Sequence, residues 1–199
     1  MIKRFLINGT PGSGKSTLLY GRGDGDPPEI HYHCLKDLGY KVFGDTVGNV
    51  LTEIANEGKN PFEHEAEGLR IMIEREIEHF LSVKEGIAFF DKGLPYLEGV
   101  AQKMGQDVPR GFYEACQKFR YDNPVITLDM IRSYDLTAPK NAESRTRAFT
   151  IKEREQMDEW FENAYIRQGY KVIRIPLLSE IPEESIKLRL KKLIEILDL

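Results

Sequence analysis

Cysteine is nearly missing from this 199-residue chain: Cys34 and Cys116 are its only two. They lie far apart and outside any paired metal-binding spacing, which excludes a disulfide-stapled scaffold and suits a reducing compartment. Long apolar runs are also lacking. Nothing approaches the roughly 18–20 residues that a membrane helix needs. The stretch after Met1-Ile2-Lys3-Arg4 ends at Asn8 and Gly9, too short for a secretory signal and without a small-residue cleavage site. The expected location is therefore the cytoplasm, with no membrane partner. Basic excess is lacking too. With 28 Lys and Arg against 32 Asp and Glu, the net charge of −4 makes nucleic acid an unexpected partner.

What is present is an ordinary globular composition, 41% hydrophobic and 30% charged, at a length that suits one domain spanning 1–199. Five short, β-rich apolar runs, at 4–8, 41–43, 87–91, 125–128 and 170–175, read as buried strands. Helical periods fall between them. Val47, Val50, Leu51, Ile54 and Ala55 make one stripe, and Phe62, Ala66, Leu69, Ile73, Ile77 and Phe80 a longer one that Gly86 closes. Thr150 and Glu153 match a capping box ahead of Met157, Trp160, Phe161, Ala164 and Tyr165, with Gly169 as the stop. A last helix starts at Pro182 and buries Ile186, Leu190, Leu193, Ile194 and Leu197. Strands alternating with helices predict an α/β fold, a five-stranded parallel sheet with helices on both faces. Residues 20–33, rich in glycine, proline and acids, read as a loop inserted in or just after the first helix.

The strongest motif is Gly9-Thr10-Pro11-Gly12-Ser13-Gly14-Lys15-Ser16, a complete G-x-x-x-x-G-K-S directly after the first strand. Its glycines let successive N–H groups curl around phosphates, and the helix start behind it adds partial positive charge. Residues Gly9 through Thr17 are thus the expected nucleotide contacts, with ATP as the nucleotide. Lys15 is expected on the β- and γ-phosphates and Ser16 on Mg²⁺. Such a loop needs a strand-ending acid to hold the magnesium shell, and Ile87-Ala88-Phe89-Phe90-Asp91 supplies one. Asp45, after Val42-Phe43-Gly44, ends another strand; it reads as a base or substrate ligand, or as a plain helix cap.

With these residues in place the chain resembles the NadR-like AAA-type ATPase/kinase domain family of P-loop NTPases, related to nicotinamide-riboside kinases and more distantly to nucleoside and nucleotide kinases. Phe89-Phe90-Asp91-Lys92-Gly93-Leu94-Pro95 is similar to that family's FFDRGLP segment, Arg120-Tyr121-Asp122 to its RYD, and Tyr165 with Gly169-Tyr170-Lys171-Val172 to its C-terminal pattern. The chain departs from the family at Lys92, where arginine is usual, at Asp45, where glutamate is common, and in the 20–33 loop. The resemblance implies a mobile lid over 132–149, with Arg145 and Arg147 as clamps on the transferring phosphate; a solvated basic loop is the competing reading. It also implies that Arg75 points into an acceptor pocket, although Glu74, Arg75, Glu76 and Glu78 read by themselves as a solvated helix face; Tyr96 reads either as lining the same pocket or as simply packed there. His31-x-His33-Cys34 has ligand-type residues but no second cluster, and reads as loop surface.

Two functions follow as expectations. One is a kinase moving the ATP γ-phosphate to a nucleoside-like or nucleotide-like small molecule. The other is a regulatory ATPase or GTPase switch that acts on a protein partner. Both require the loop lysine. Lys15→Ala should weaken Mg-ATP binding or abolish turnover with the fold kept, and calorimetry together with a turnover assay on the variant checks it.

Overall fold

The computed structural model describes residues 1–22, 31–58, 65–130, 150–179 and 181–199. Five strands, β1 (Ile2–Asn8), β2 (Lys41–Phe43), β3 (Gly86–Asp91), β4 (Val125–Leu128) and β5 (Val172–Ile175), form one all-parallel sheet in the order β2-β3-β1-β4-β5. The helices are α1 (Lys15–Tyr20), α2 (Thr46–Asn56), α3 (Glu65–Ser82), α4 (Leu97–Met104), α5 (Phe112–Lys118), α6 (Ile151–Arg167) and α7 (Pro182–Leu197), with a 3₁₀ turn at Leu94–Tyr96. The fold is the α/β P-loop NTPase architecture.

The period-2 geometry of the strands decides which core each side chain joins. Phe5, Ile7, Phe89, Ile126 and Leu128 point to the face covered by α1 and α7. Leu6, Ala88, Phe90 and Val125 point to the other, where α2 through α6 pack. Because β3, β4 and the second half of β1 are covered on both faces, those stretches are nearly all apolar, while the edge strands β2 and β5 are only partly buried. Pairing registers set the site. Ile7 lies beside Asp91, and Phe43 beside Phe90, so the ends of β1, β2 and β3 open onto one carboxyl edge. In open parallel sheets that edge holds the ligand.

Most predicted elements are present, with shifted ends. β5 starts at Val172 rather than Tyr170 because Tyr170 closes α6: its N–H donates to the Tyr165 carbonyl at 3.0 Å, and its hydroxyl accepts the Tyr121 N–H at 3.1 Å. The capping box at α6 is formed in both directions, Glu153 N–H to Thr150 Oγ1 at 3.2 Å and Thr150 N–H to Glu153 Oε2 at 2.7 Å. The sequence reading contains neither α4 nor α5. Residues 91–101 are all buried, so the turn and the first half of α4 show no exposed face, and only Gln102 and Lys103 at its end are exposed; α5 is only seven residues. The first helix ends at Tyr20, where Gly21 takes a left-handed conformation (φ 88°). The chain comes back there, Tyr32 N–H donating to the Gly21 carbonyl at 2.7 Å, so the two ends of the 22–31 segment meet. Most of that expected loop, and the whole 132–149 segment, lie outside the described residues, as does Phe62.

One α7 side chain ties the carboxyl edge together. Arg189, fully buried, donates from Nη1 to the Ser13 carbonyl (2.6 Å), from Nη2 to the Asp129 carbonyl (2.8 Å) and from Nε to the Pro176 carbonyl (3.0 Å). Arg189→Met should lower the unfolding free energy by about 3 kcal/mol or more, because three acceptors lose a charged donor. Arg189→Lys should recover only part, since an ammonium lacks the planar fork. Urea denaturation followed by circular dichroism checks both.

Candidate active site

The loop after β1 needs backbone that only glycine adopts easily. Gly9 sits at φ 144°, and a Cβ there would come 2.8 Å from the Leu128 carbonyl at the end of β4. Gly14, at φ 83°, turns the chain into α1. Inside the loop Ser13 N–H donates to the Thr10 carbonyl at 3.1 Å, and Lys15 Nζ reaches back to the same carbonyl at 3.5 Å. Thr10 Oγ1 and Ser13 Oγ are buried with no hydrogen-bond partner among the described residues. Two unsatisfied hydroxyls and an inward-turned lysine on a glycine-built curl are a donor set that fits a polyphosphate. Ser16 is half-buried at the first turn of α1, and Thr17 behind it is buried.

Asp91 and Asp45 approach this loop from β3 and from the end of β2, and Lys92 stands between them. Its Nζ is 3.6 Å from Asp45 Oδ1 and 4.0 Å from Asp91 Oδ1, and it lies 4.7 Å above the Tyr96 ring. Lys92 occupies the left-handed region (φ 74°), a conformation costing a side-chain-bearing residue about 1–2 kcal/mol. Three hydrogen bonds hold it there: Lys92 N–H to the Ile7 carbonyl (3.0 Å), Gly93 N–H to the Asp91 carbonyl (3.0 Å) and Tyr165 hydroxyl to the Lys92 carbonyl (2.7 Å).

Asp45 heads α2, yet its carboxylate also faces the cleft, 47% of the side chain being accessible. Partial desolvation pushes its pKa up, but the attraction of Lys92, the nearby Gly48 N–H and Lys15 together hold it below the usual carboxylate range. Lys92 is buried, which disfavours its charge, yet Asp45 and Asp91 outweigh that and keep the ammonium protonated. Tyr20, at the end of α1, has its hydroxyl pushed up first by burial and then by Asp91 and Asp45.

A third carboxyl completes the cluster. The sequence places Glu76 on a solvated face, but the structure buries it to 3% exposure; it belongs to the stripe with Leu69, Met72, Ile73 and Phe80. Its Oε2 lies 3.5 Å from the Tyr121 hydroxyl. Burial raises its pKa, Asp91 and Asp45 add to that, and the hydroxyls of Thr46 and Tyr121 pull only part of the way back, leaving it pushed up to about 8. Arg75, the neighbour expected in the pocket, instead makes a two-pronged ion pair with Glu53 of α2, both contacts at 2.9 Å. Arg75 lies about 100° round the helix from Glu76, which turns it off the buried stripe and toward Glu53. Tyr96 is buried and packed on Phe161, with ring centroids 4.1 Å apart.

Arg145 and Arg147 lie outside the described residues. A different arginine stands at the same edge. Arg154, in the first turn of α6, is 3% exposed, and its Nε and Nη1 have no hydrogen-bond partner among the described residues. Since α6 feeds the parallel strand β5, its first turn belongs at the carboxyl edge. A sequence cue existed, an arginine one turn before Met157 on the apolar stripe. A separate cleft of about 590 Å³, bordered by Glu98, Arg120, Arg167 and Gln168, contains none of the predicted site residues.

Residues 4–182 match the family model described as AAA domain. The chain belongs to that AAA domain family. No curated protein matches it. Among solved structures it is similar to a deoxyadenosine kinase from M. mycoides with the products dCMP and a flexible dCDP bound, at TM-score 0.48 and 20% identity, over 97% of this chain and 99% of that one. It is also similar to a shikimate kinase from Acinetobacter baumannii in complex with shikimate, at TM-score 0.47 and 16% identity, over 100% and 94%. No helix among the described residues is long and apolar enough to cross a membrane.

Glu76 gives the cluster a pH signature. Folded, it keeps its proton to about pH 8; unfolded, it loses it near 4.5. Between those limits the folded chain binds more protons, so this group's contribution to stability falls as pH rises from 4.5 to 8 and is flat beyond. Glu76→Gln should therefore gain on wild type between pH 5 and pH 8, by on the order of a few kcal/mol. Urea midpoints at the two pH values check it.

Proposed function

We propose that this chain is an ATP-dependent small-molecule kinase that moves the γ-phosphate to a hydroxyl of a nucleoside-like or nucleotide-like acceptor. The observation that supports the reading is the difference in burial between two strand-ending acids, which suits them to different roles. Asp91 is buried at the end of β3, beside Ile7 of β1, whereas Asp45, at the head of α2, keeps 47% of its side chain accessible.

In this reading the loop from Gly9 to Thr17 cradles the phosphates, and Lys15 leaves the Thr10 carbonyl to neutralise charge on the β- and γ-oxygens. Ser16 and Asp91 would hold Mg²⁺, which when bound offsets phosphate charge and aligns the oxygens. Asp45, ionised at neutral pH, accepts the proton of the acceptor hydroxyl as its oxygen bonds to the γ-phosphorus and the bond to the bridging oxygen breaks, releasing ADP. Lys92 keeps the two acids apart in role: it pairs with both and aligns their carboxylates. Arg154 brings a cation to the same edge, joining Arg145 and Arg147 as groups that steady the transferring charge.

The test pairs a screen with two variants. Nucleosides, nucleotides and vitamin ribosides are offered with ATP and Mg²⁺ and scored by product mass; ADP without a phosphorylated product would favour the regulatory NTPase instead. With an acceptor in hand, Asp91→Asn should perturb metal dependence and every nucleotide-consuming activity. Asp45→Asn should leave Mg-ATP affinity nearly intact and cut transfer by roughly 10²–10⁴-fold. Full transfer activity in Asp45→Asn would make Asp45 a helix cap only.

A further inference from the structure

The turn between α1 and β2 brings together a ligand set that the phosphate site does not use. His31 Nε2 is 2.9 Å from Asp37 Oδ2, and His33 Nδ1 is 3.7 Å from the same oxygen. One donor atom each from His31, Cys34 and Asp37 lie within 4.8 Å of one another. We propose that His31, Cys34 and Asp37, with His33 as the fourth ligand, form a mononuclear site for a Zn²⁺-class transition metal.

Spacing and chemistry both argue for it. Tetrahedral bonds of about 2.0–2.3 Å put ligand atoms roughly 3.3–3.8 Å apart, so closing this set on an ion needs side-chain shifts of about 1 Å. A thiolate with two imidazoles selects zinc or its neighbours over Mg²⁺, and one thiolate with one carboxylate balances a divalent charge. The frame is already built. Cys34 is fully buried, and its N–H donates to Asp37 Oδ2 at 3.1 Å, which orients the carboxylate. Leu35 and Lys36 N–H groups donate to the Leu18 and Leu19 carbonyls of α1, at 3.0 and 3.2 Å. The His31 ring rests against Gly21, where any Cβ would overlap it. The imidazoles are placed to make most of the adjustment, His31 and His33 being 56% and 66% exposed. Spacing alone places His31 and His33 on a loop surface; Asp37, one turn later, supplies the shared acceptor. A metal here would fasten the phosphate-loop helix to the segment entering β2, apart from the Ser16 and Asp91 position.

The test uses the full chain, stripped with a chelator and free of nucleotide, titrated with CoCl₂ and then ZnCl₂. The proposal expects one Co²⁺ per chain, with a thiolate charge-transfer band in the near ultraviolet and tetrahedral visible bands, all erased by one equivalent of Zn²⁺. Zn²⁺ should also raise the melting temperature. Cys34→Ser should remove the charge-transfer band; should that variant fail to fold, the exposed His31→Ala and His33→Ala decide. Each should weaken Co²⁺ binding at least about tenfold. Absence of the band in wild type, its survival in folded Cys34→Ser, or unchanged affinity in both histidine variants would overturn the site, and would mean that Asp37 is only a hydrogen-bonded turn residue. None of these outcomes bears on phosphoryl transfer, which is read in the separate acceptor screen.

Discussion

Arg189 is the tie on which the carboxyl edge depends. A guanidinium removed from water must find acceptors in the plane of its fork, and this one finds three carbonyls from three segments: Ser13 in the loop, Asp129 after β4 and Pro176 after β5. The segments are distant in sequence, so no local preference could hold them in one plane. Burial and the three hydrogen bonds are mutually dependent, since an arginine with no acceptors would not stay buried and the carbonyls would otherwise lack donors. The loop can therefore keep its glycine-rich curl without a ligand to shape it. Desolvation lowers the pKa of Arg189, but a guanidinium starts so high that it keeps its charge.

Above that tie the site is a charge balance. Asp45 and Asp91 carry negative charge and Lys15 and Lys92 positive charge, all within one cleft, and Glu76 is neutral at pH 7 because burial first, and then the two neighbouring carboxylates, disfavour its charge. Lys92 is the pivot. An arginine, usual in the family that the sequence resembles, would present a fork; the lysine presents a point charge that both acids can share. Its left-handed backbone is held by Tyr165 from α6, so the helix following the 131–149 segment is coupled to the strand that ends in Asp91.

Several elements could be read directly from the chain. The strands β2 and β4 match residue for residue, the capping box of α6 forms as its spacing requires, and the phosphate-loop motif falls between β1 and α1. The turn at Leu94–Tyr96 and helices α4 and α5 could not: the turn and the start of α4 are buried throughout, and α5, with seven residues, is too short to show a clear period. For Glu76 the difficulty is of another kind. Among four charged residues on α3, composition alone cannot tell which one turns inward; the apolar phase of Leu69, Met72 and Phe80 can.

The sequence by itself determined the α/β alternation, the phosphate-binding loop and the two strand-ending acids, because each is written in contiguous residues whose spacing is the signal. Tertiary structure alone decided which charges share a cleft. The pairing of Lys92 with Asp45, the inward turn of Glu76 past Arg75 and the fork of Arg189 all join residues set face to face by register and helix packing. Those contacts exist because desolvation penalises any buried charge that lacks a partner, and the folded chain supplies partners from wherever its geometry brings them.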